Sequence, residues 1–311
     1  GVQHGEVSLL EALAHSYNLA TVDLGLELGV ERVARVIEAL VPGTQVAPNP
    51  SLLLGAVELS PLQVAQAYQY LAADGRPLAL YSVEAVLDAQ GRPLRRHAEP
   101  PTPGDLVAAS RLVGFALQET ARSGTARALA GLGLGALNAA GKTGTSNDQR
   151  DSWFAGYTGQ HLAVAWVGRD DNQQTALFGA TGALRVWAAL FAKLPTEPLV
   201  LDLREDPQLL WVDVAAQGLT DASCPGARQL PFARGHEPGF TESCTMARIG
   251  EWFRPGSPTA DAGGDPGAAP PDPRAGSAAP RRDARERWRL RNLFRRKEPE
   301  PPDEADDDEV L

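Results

Sequence analysis

AAGKTGTS at residues 139–146 and DSWFAGY at residues 151–157 are the two stretches that decide the fold of this chain. Small residues lead into the first stretch, and the second is rich in Trp, Phe and Tyr, which favour extended backbone. A turn-forming Asn147-Asp148 lies between them. The two stretches therefore predict neighbouring strands at the edge of a sheet.

The first of these strands carries groups that suit a carboxylate ligand. Lys142 supplies a cation, and the hydroxyls of Thr143 and Thr145 supply hydrogen-bond donors that alternate with small residues along the strand. Gly144 has no side chain to keep a substrate's main chain away. We therefore expect a ligand-binding groove along residues 142–145.

The composition is that of a globular chain of 311 residues, with 43% hydrophobic and 22% charged residues. Its net charge of −10 argues against nucleic acid as the main partner. The sequence has no apolar run of about 18 residues and no basic-then-apolar leader. Because a patterned helix follows Gly1 almost at once, we expect the N-terminal part of a longer protein to precede it.

The order of the predicted elements indicates an α+β layered domain with an antiparallel sheet. A strand over residues 162–168 follows the strand at 151–157 after so short a turn that the two must be antiparallel. A closing helix over residues 183–194 is expected to pack on this sheet. Its predicted apolar face consists of Val186, Trp187, Leu190 and Phe191.

Apolar spacing also predicts helices over residues 6–15, 19–28, 30–40 and 105–122. Ser60-Pro61-Leu62-Gln63 predicts a further helix that begins with a capping box. Residues 82–88 and the residues after Gly91 predict a hairpin, and residues 209–214 a strand.

Ser16 and Asn18 flank Tyr17 at the junction of two predicted helices. Ser and Asn are preferred helix caps, so a purely structural role is one interpretation of these two residues. The other interpretation is that their polar groups belong to a site. The three residues alone do not decide between the two.

The C-terminal part of the chain differs in character from the main domain, which we place at residues 1–198. Residues 199–254 are predicted to form a small lobe that holds both cysteines, Cys224 and Cys244. A disulfide between them is favoured in an oxidising compartment, and two buried thiols are the alternative. Residues 255–311 are rich in Pro, Gly and Ala and then in charged residues, which predicts a disordered, solvated tail rather than a membrane-surface helix.

Ser16-Tyr17-Asn18 followed by Lys142-Thr143-Gly144-Thr145 resembles the second and third motifs of penicillin-binding proteins and serine β-lactamases. Four longer stretches strengthen the resemblance: residues 55–62, 122–126, 147–157 and 166–171. In this order they resemble the transpeptidase domain of class A, bifunctional penicillin-binding proteins over about residues 1–250. The resemblance implies the penicillin-binding and serine β-lactamase-like transpeptidase fold.

The nucleophile of that family is the Ser of a Ser-x-x-Lys motif, and no Ser of this chain has a Lys three residues later. We therefore expect this chain to be a C-terminal fragment of a transpeptidase domain, inactive alone. The nucleophile would lie upstream, as would the glycosyltransferase domain and membrane anchor of class A proteins.

The resemblance implies acyl transfer on the D-Ala-D-Ala end of peptidoglycan stem peptides, without a metal or organic cofactor. Ser16 would relay a proton to the leaving amine, and Asn18 would hold the substrate's amide. Lys142 would attract the substrate's carboxylate and hydrogen-bond Ser16. A non-catalytic module that binds peptidoglycan or β-lactams on the same fold is the alternative hypothesis.

Substrate binding would fall to the strand itself in this family. Thr143 and Thr145 would donate to the carboxylate, the N–H of Thr145 would form half of an oxyanion hole, and Gly144 would leave room for the substrate. β-Lactam antibiotics, cell-wall lipoprotein activators and divisome or elongasome proteins are the implied partners. The implied location is the periplasmic face of the bacterial inner membrane.

Overall fold

The computed structural model describes residues 5, 7–78, 80–97, 106–215, 218–222 and 224–239. Cys244 and the predicted tail at residues 255–311 lie outside the described residues, while Cys224 lies within them and is buried. The Cys224–Cys244 pairing and the division of the chain at residues 198 and 254 therefore stay predictions.

Helices come first in the described chain and strands dominate its second half, as the sequence predicts. The helices are α1 (Leu9–His15), α2 (Asn18–Leu28), α3 (Val30–Leu40), α4 (Pro61–Ala72), α5 (Val107–Arg122), α6 (Ala128–Gly131) and α7 (Ala183–Phe191). The strands are β1 (Ala85–Leu87), β2 (Pro93–Arg96), β3 (Ala140–Thr145), β4 (Ser152–Tyr157), β5 (Leu162–Val167), β6 (Leu209–Ala215), β7 (Gly218–Leu219) and β8 (Arg228–Ala233).

Capping residues set where two of these helices begin. The hydroxyl of Ser60 accepts a hydrogen bond from the N–H of Gln63, and the Gln63 side chain accepts from the Ser60 N–H, which confirms the predicted capping box. Ser8 and Glu11 form a second capping box. Because Ser8 is the cap, α1 begins at Leu9 and not at residue 6.

The central sheet is antiparallel, as predicted, and has the order β3-β4-β5. Its register pairs Lys142 with Ala155 and Thr143 with Phe154, so neighbouring residues of β3 belong to opposite faces. One edge of β3 pairs with β4, and the other edge forms no pairing with a described strand. β3 is therefore an edge strand with one row of backbone groups turned away from the sheet.

One face of the sheet packs against α7 and holds the main hydrophobic core. The Trp187 ring stacks on Phe191 with centroids 3.7 Å apart and meets Phe154 edge-on at 5.3 Å. The Trp187 indole N–H also donates to the carbonyl of Gly156 at 3.2 Å. The other face packs Ala140 and Tyr157 against Leu117 of α5.

The predicted apolar face of α7 is wrong in half of its members. Trp187 and Phe191 are buried, but Val186 and Leu190 are 54% and 50% exposed. Leu184 and two small residues, Ala183 and Ala188, complete the buried face instead. Small side chains let the helix approach the sheet closely around the large Trp187.

The C-terminal three-stranded sheet has the order β7-β6-β8 and packs on α5. Its Trp211 meets Phe115 of α5 edge-on, with ring centroids 6.0 Å apart. Leu203 and Leu209 join Ala108 in a buried cluster at the same place. α5 therefore lies between this sheet and the central one.

We expect truncation of two neighbouring residues of α7, Trp187 and Val186, to have very different effects on stability. We expect Trp187→Ala to lower the free energy of unfolding by about 3–5 kcal/mol, because it removes a buried aromatic ring and leaves a cavity. The control Val186→Ala, one position away and exposed, is expected to change it by less than about 0.5 kcal/mol. Urea unfolding of both variants measures the difference, and equal losses would contradict the placement of α7.

Candidate active site

The candidate site lies where the end of α1 meets the edge strand β3. The ammonium of Lys142 donates to the hydroxyl oxygen of Ser16 at 3.0 Å and to the carbonyl oxygen of Thr143 at 2.9 Å. Ser16 and Lys142 are separated by 126 positions in the sequence. The structure therefore brings together two of the three predicted catalytic residues.

Ser16 is held in an unusual backbone conformation. It follows the last residue of α1 with φ 58° and ψ 50°, the left-handed region that few residues other than glycine adopt. Its N–H still closes the last turn of the helix through the carbonyls of Ala12 and Leu13. Strained residues of this kind are found preferentially at functional sites.

The structure argues against the interpretation of Ser16 and Asn18 as side-chain caps. The Ser16 hydroxyl bonds to Lys142, so the residue ends α1 through its backbone alone. Asn18 is the first residue of α2, and the N-cap is Tyr17, whose side chain makes no capping hydrogen bond. Asn18 is exposed beside the site, and none of the hydrogen bonds between described residues joins its side chain to Lys142.

Burial lowers the pKa of Lys142 to about 8. Removing water disfavours the charged ammonium, and no charged group contributes to the shift. At pH 7 roughly nine in ten such side chains are still protonated, because the pKa lies about one unit above the pH. Lys142 therefore combines a positive charge with a proton that it releases more readily than an ordinary lysine.

Thr143 and Thr145 each have a partner within the protein. The hydroxyl oxygens of Thr143 and Thr125 lie 2.8 Å apart. The hydroxyl oxygen of Thr145 accepts from the N–H of Gly179 at 3.0 Å, which leaves its own proton to donate elsewhere. Thr145 is exposed at the open end of β3. Its hydroxyl is thus the donor on this strand that remains available to a ligand.

The free edge of β3 presents backbone groups to the site. The Gly141 carbonyl hydrogen-bonds the hydroxyl of Thr120 on α5 rather than a residue of β4. In an antiparallel sheet the N–H and C=O of one residue point to the same side, and the side alternates along the strand. The N–H of Thr145, four residues after Gly141, therefore points away from β4 and toward this free edge.

Gly144 occupies a crowded position on the sheet. A Cβ there would lie 3.2 Å from the Cβ of Trp153, which pairs with Gly144 across the sheet. Trp153 in turn pairs with Trp166 on β5, whose indole N–H donates to Asp151 at 3.0 Å. The absence of a side chain at Gly144 thus keeps this end of the strand flat beside two aromatic rings.

Thr120, Thr125 and Gly179 also belong to this site, although their sequence does not predict it. Thr120 of α5 hydrogen-bonds to the Gly141 carbonyl, and Thr125, in the turn after α5, hydrogen-bonds to Thr143. Of these two threonines, only Thr125 lies in a stretch that contributes to the resemblance. Gly179 packs so closely on β3 that a Cβ would lie 2.7 Å from the Gly144 carbonyl. A glycine or threonine in isolation carries no sequence signal for such a contact.

Among the residues that the structure describes, no group of three or more His, Cys, Asp and Glu side chains is placed to hold a metal ion. Within the same residues, no helix is long and apolar enough to cross a membrane.

Curated proteins similar to this chain are named penicillin-binding protein 1B or 1A. Penicillin-binding protein 1B of Vibrio cholerae is 40% identical over 230 residues, which are 73% of this chain and 29% of that protein. Penicillin-binding protein 1B of Escherichia coli is 39% identical over 215 residues, 68% of this chain and 25% of that protein. The chain thus spans less than a third of the length of these relatives. Both are of the 1B type.

Solved structures support the fold. Penicillin-binding protein 1A from Haemophilus influenzae has a TM-score of 0.62 at 21% identity, covering 76% of this chain and 41% of that one. The PonA1 protein from Mycobacterium tuberculosis, solved in complex with penicillin V, has a TM-score of 0.51 at 24% identity, covering 65% and 60%. At these identities the likeness concerns the fold alone.

The family itself is shown by its sequence profile. The penicillin-binding protein transpeptidase domain matches residues 1–187, more than half of the chain. This match confirms the resemblance drawn from Ser16-Tyr17-Asn18 and Lys142-Thr143-Gly144-Thr145. The chain belongs to the penicillin-binding protein transpeptidase domain family.

Proposed function

We propose that this chain supplies one side of the acyl-transfer site of a serine D,D-transpeptidase that cross-links peptidoglycan stem peptides. The observation that carries the proposal is the hydrogen bond between Lys142 and Ser16 at the free edge of β3. Family membership supports the same reaction. The nucleophilic serine and its lysine would come from outside this chain, because the sequence contains no Ser-x-x-Lys.

In the proposed reaction, the oxygen of the external serine attacks the carbonyl carbon between the two D-Ala residues of a stem peptide. The C–N bond breaks, the serine forms an ester, and the leaving D-Ala amine takes up a proton. An amine of a neighbouring stem peptide then attacks the ester. The new peptide bond releases the serine, which regains its proton.

Ser16 is suited to deliver the proton to the leaving amine. Its oxygen accepts from the Lys142 ammonium, so its own hydrogen is free to turn into the groove. When that hydrogen is given up, Lys142 can replace it, since burial has lowered its pKa to about 8. Asn18, two residues further along, would hold the substrate's amide.

β3 would bind the substrate as an added strand along its free edge. The cation of Lys142 attracts the terminal carboxylate, and the Thr145 hydroxyl donates to it. Thr143, whose hydroxyl donates to Thr125 in this structure, would contribute a second donor by turning from Thr125 to the carboxylate. Gly144 would leave room for the substrate's backbone. The N–H of Thr145 would form one half of an oxyanion hole, with the other half from the external serine.

Stem peptides ending in D-Ala-D-Ala and β-lactam antibiotics are the proposed ligands of this site. Since stem peptides are cross-linked outside the cytoplasmic membrane, we place the site at the periplasmic face of the inner membrane. The membrane anchor and a glycosyltransferase domain would belong to the longer protein. Lipoprotein activators and divisome or elongasome proteins are proposed partners of that longer protein.

The charge of Lys142 gives a test with a defined pH dependence. In a protein with the upstream Ser-x-x-Lys segment restored, Lys142→Ala is expected to slow acylation by penicillin about 10²-fold or more. The wild-type rate should fall as the pH rises through about 8, because Lys142 then loses its charge. In Lys142→Arg that fall should disappear, because a guanidinium stays charged throughout this range. Stopped-flow acylation with a fluorescent penicillin measures all three.

Two results would contradict this role. One is an acylation rate unchanged by Lys142→Ala in a folded protein. The other is stable stoichiometric labelling of the 311-residue chain alone, because this chain is expected to contain no acylatable serine. Non-covalent binding without any acylation in the restored protein would favour the alternative of a binding module.

Ser16 gives a second test, in which stability and activity change in opposite directions. Ser16→Gly should raise the free energy of unfolding by up to about 1 kcal/mol, because glycine adopts the left-handed backbone without strain. The same change should slow acylation by orders of magnitude, because the proton relay is lost. Urea unfolding and acylation rates are measured on the same protein.

Ser60 provides the matched control, since it is a true helix cap away from β3. Ser60→Ala should lower the free energy of unfolding by about 1 kcal/mol and leave acylation unchanged. Asn18→Ala should behave in the opposite way, with acylation impaired and stability within about 0.5 kcal/mol of wild type. A Ser16→Gly protein that reacts at the wild-type rate would remove Ser16 from the mechanism.

A further inference from the structure

The end of α5 and the turn that follows it contact β3 on both sides of Lys142. Thr120 is completely buried, and its hydroxyl hydrogen-bonds the carbonyls of Gly141 and of Leu117 in its own helix. Five residues later, the hydroxyl of Thr125 lies 2.8 Å from that of Thr143. The two residues that flank Lys142 are therefore each tied to the same short segment of chain.

That segment also holds the end of α1, which carries Ser16. The N–H of Thr125 donates to the carbonyl of Ala14 at 3.0 Å. Gly124 lies so close to the same carbonyl that an added Cβ would be 2.0 Å from the oxygen of Ala14. Thr125 thus contacts α1 through its backbone and β3 through its side chain.

We propose that Thr120 and Thr125 form a clamp that positions Lys142 against Ser16. The clamp rests on the role proposed above for the Lys142–Ser16 pair. Thr125 is its central member, because it hydrogen-bonds to both segments that carry the pair. Neither threonine touches the reacting atoms in this proposal, so both are positioning residues.

The physical need for a clamp follows from the geometry of the pair. The 3.0 Å bond joins two elements that are far apart in sequence, and β3 has no pairing partner among the described strands on that side. A hydrogen bond weakens steeply when its groups move apart, and misplacement of about 1 Å can cost about 10²-fold in rate. Hydrogen bonds from the end of α5 and from the turn after it hold such a distance better than a free edge can.

The pKa of Lys142 depends on whether the clamp holds β3 near α1. Burial alone lowers its pKa, so the pKa should rise if β3 moves away from α1 and water reaches the ammonium. Titratable side chains on α1, α4, α5 and β4 are not among the causes of the shift: Glu11, His15, Tyr68, Tyr70, Arg111, Glu119, Arg122 and Tyr157. A change in the titration of Lys142 would therefore follow its exposure to water.

The test uses the complete 311-residue chain and requires no enzymatic activity. The sequence contains only three lysines, at positions 142, 193 and 297, so each can be followed in its own peptide. Competitive acetylation over pH 6–11, read by mass spectrometry, gives the half-reaction pH of Lys142. Lys193, exposed beyond the end of α7, serves as the internal reference.

We expect the wild-type half-reaction pH of Lys142 to lie near 8. Thr125→Val keeps the shape and the backbone N–H of the residue but removes its hydroxyl, and should raise this value by about one unit. Thr125→Ser keeps the hydroxyl and should restore the wild-type value. Thr44→Val, which removes a threonine hydroxyl that accepts from Gln63 between α3 and α4, should leave it unchanged.

A Thr125→Val protein that unfolds normally and titrates Lys142 at the wild-type pH would overturn the clamp. If that variant does not fold, Thr143→Val removes the same hydrogen bond from the other side, and an unchanged value there has the same meaning. In the double variant the two shifts should not add, because both remove one interaction. Since acylation is not measured, failure of the clamp is distinguishable from failure of the proposed reaction.

Discussion

The hydrogen bond between the Lys142 ammonium and the Ser16 hydroxyl is the interaction on which the rest of this structure depends. It requires β3 to be an edge strand, since a paired strand on that side would displace α1 from the edge. It also requires α1 to end abruptly, so that Ser16 faces the strand. Both requirements work against stability, because they leave backbone groups unpaired and force a left-handed residue.

Packing on the opposite face of the central sheet offsets the cost of these two features. There Trp187, Phe154 and Phe191 are almost completely buried and meet through their rings. Large buried aromatic residues contribute most to the stability of a core, so this cluster can hold the sheet in shape. The site-bearing face is therefore free to keep an open edge and a desolvated lysine.

The sequence predicts the framework of this fold well because the relevant signals are local. Alternation of residues fixed β3 to β5, and the capping box at Ser60 fixed the start of α4. The predicted apolar face of α7 is wrong for Val186 and Leu190. Helical periodicity alone does not show that Ala183 and Ala188 are buried while Val186 faces solvent. Which side of a helix is buried depends on the neighbour that it meets.

The candidate site also depends on contacts between segments that are far apart in sequence. Ser16 and Lys142 were predicted to meet only through the resemblance to a family, since nothing local in either segment points to the other. Thr125 lies in a stretch that resembles the family, but nothing in that stretch predicts its contacts to Ala14 and Thr143.

The titration of Lys142 is a compromise between two demands of the proposed reaction. A higher pKa would keep the charge that attracts a carboxylate but would make the lysine a poorer donor to Ser16. A lower pKa would improve the donor and lose the charge at neutral pH. A value of about 8 leaves roughly a tenth of the side chains neutral at pH 7, so neither function is lost. Burial sets this value and no charged group contributes to it, so exposure of Lys142 to water would raise its pKa and make it a poorer donor to Ser16.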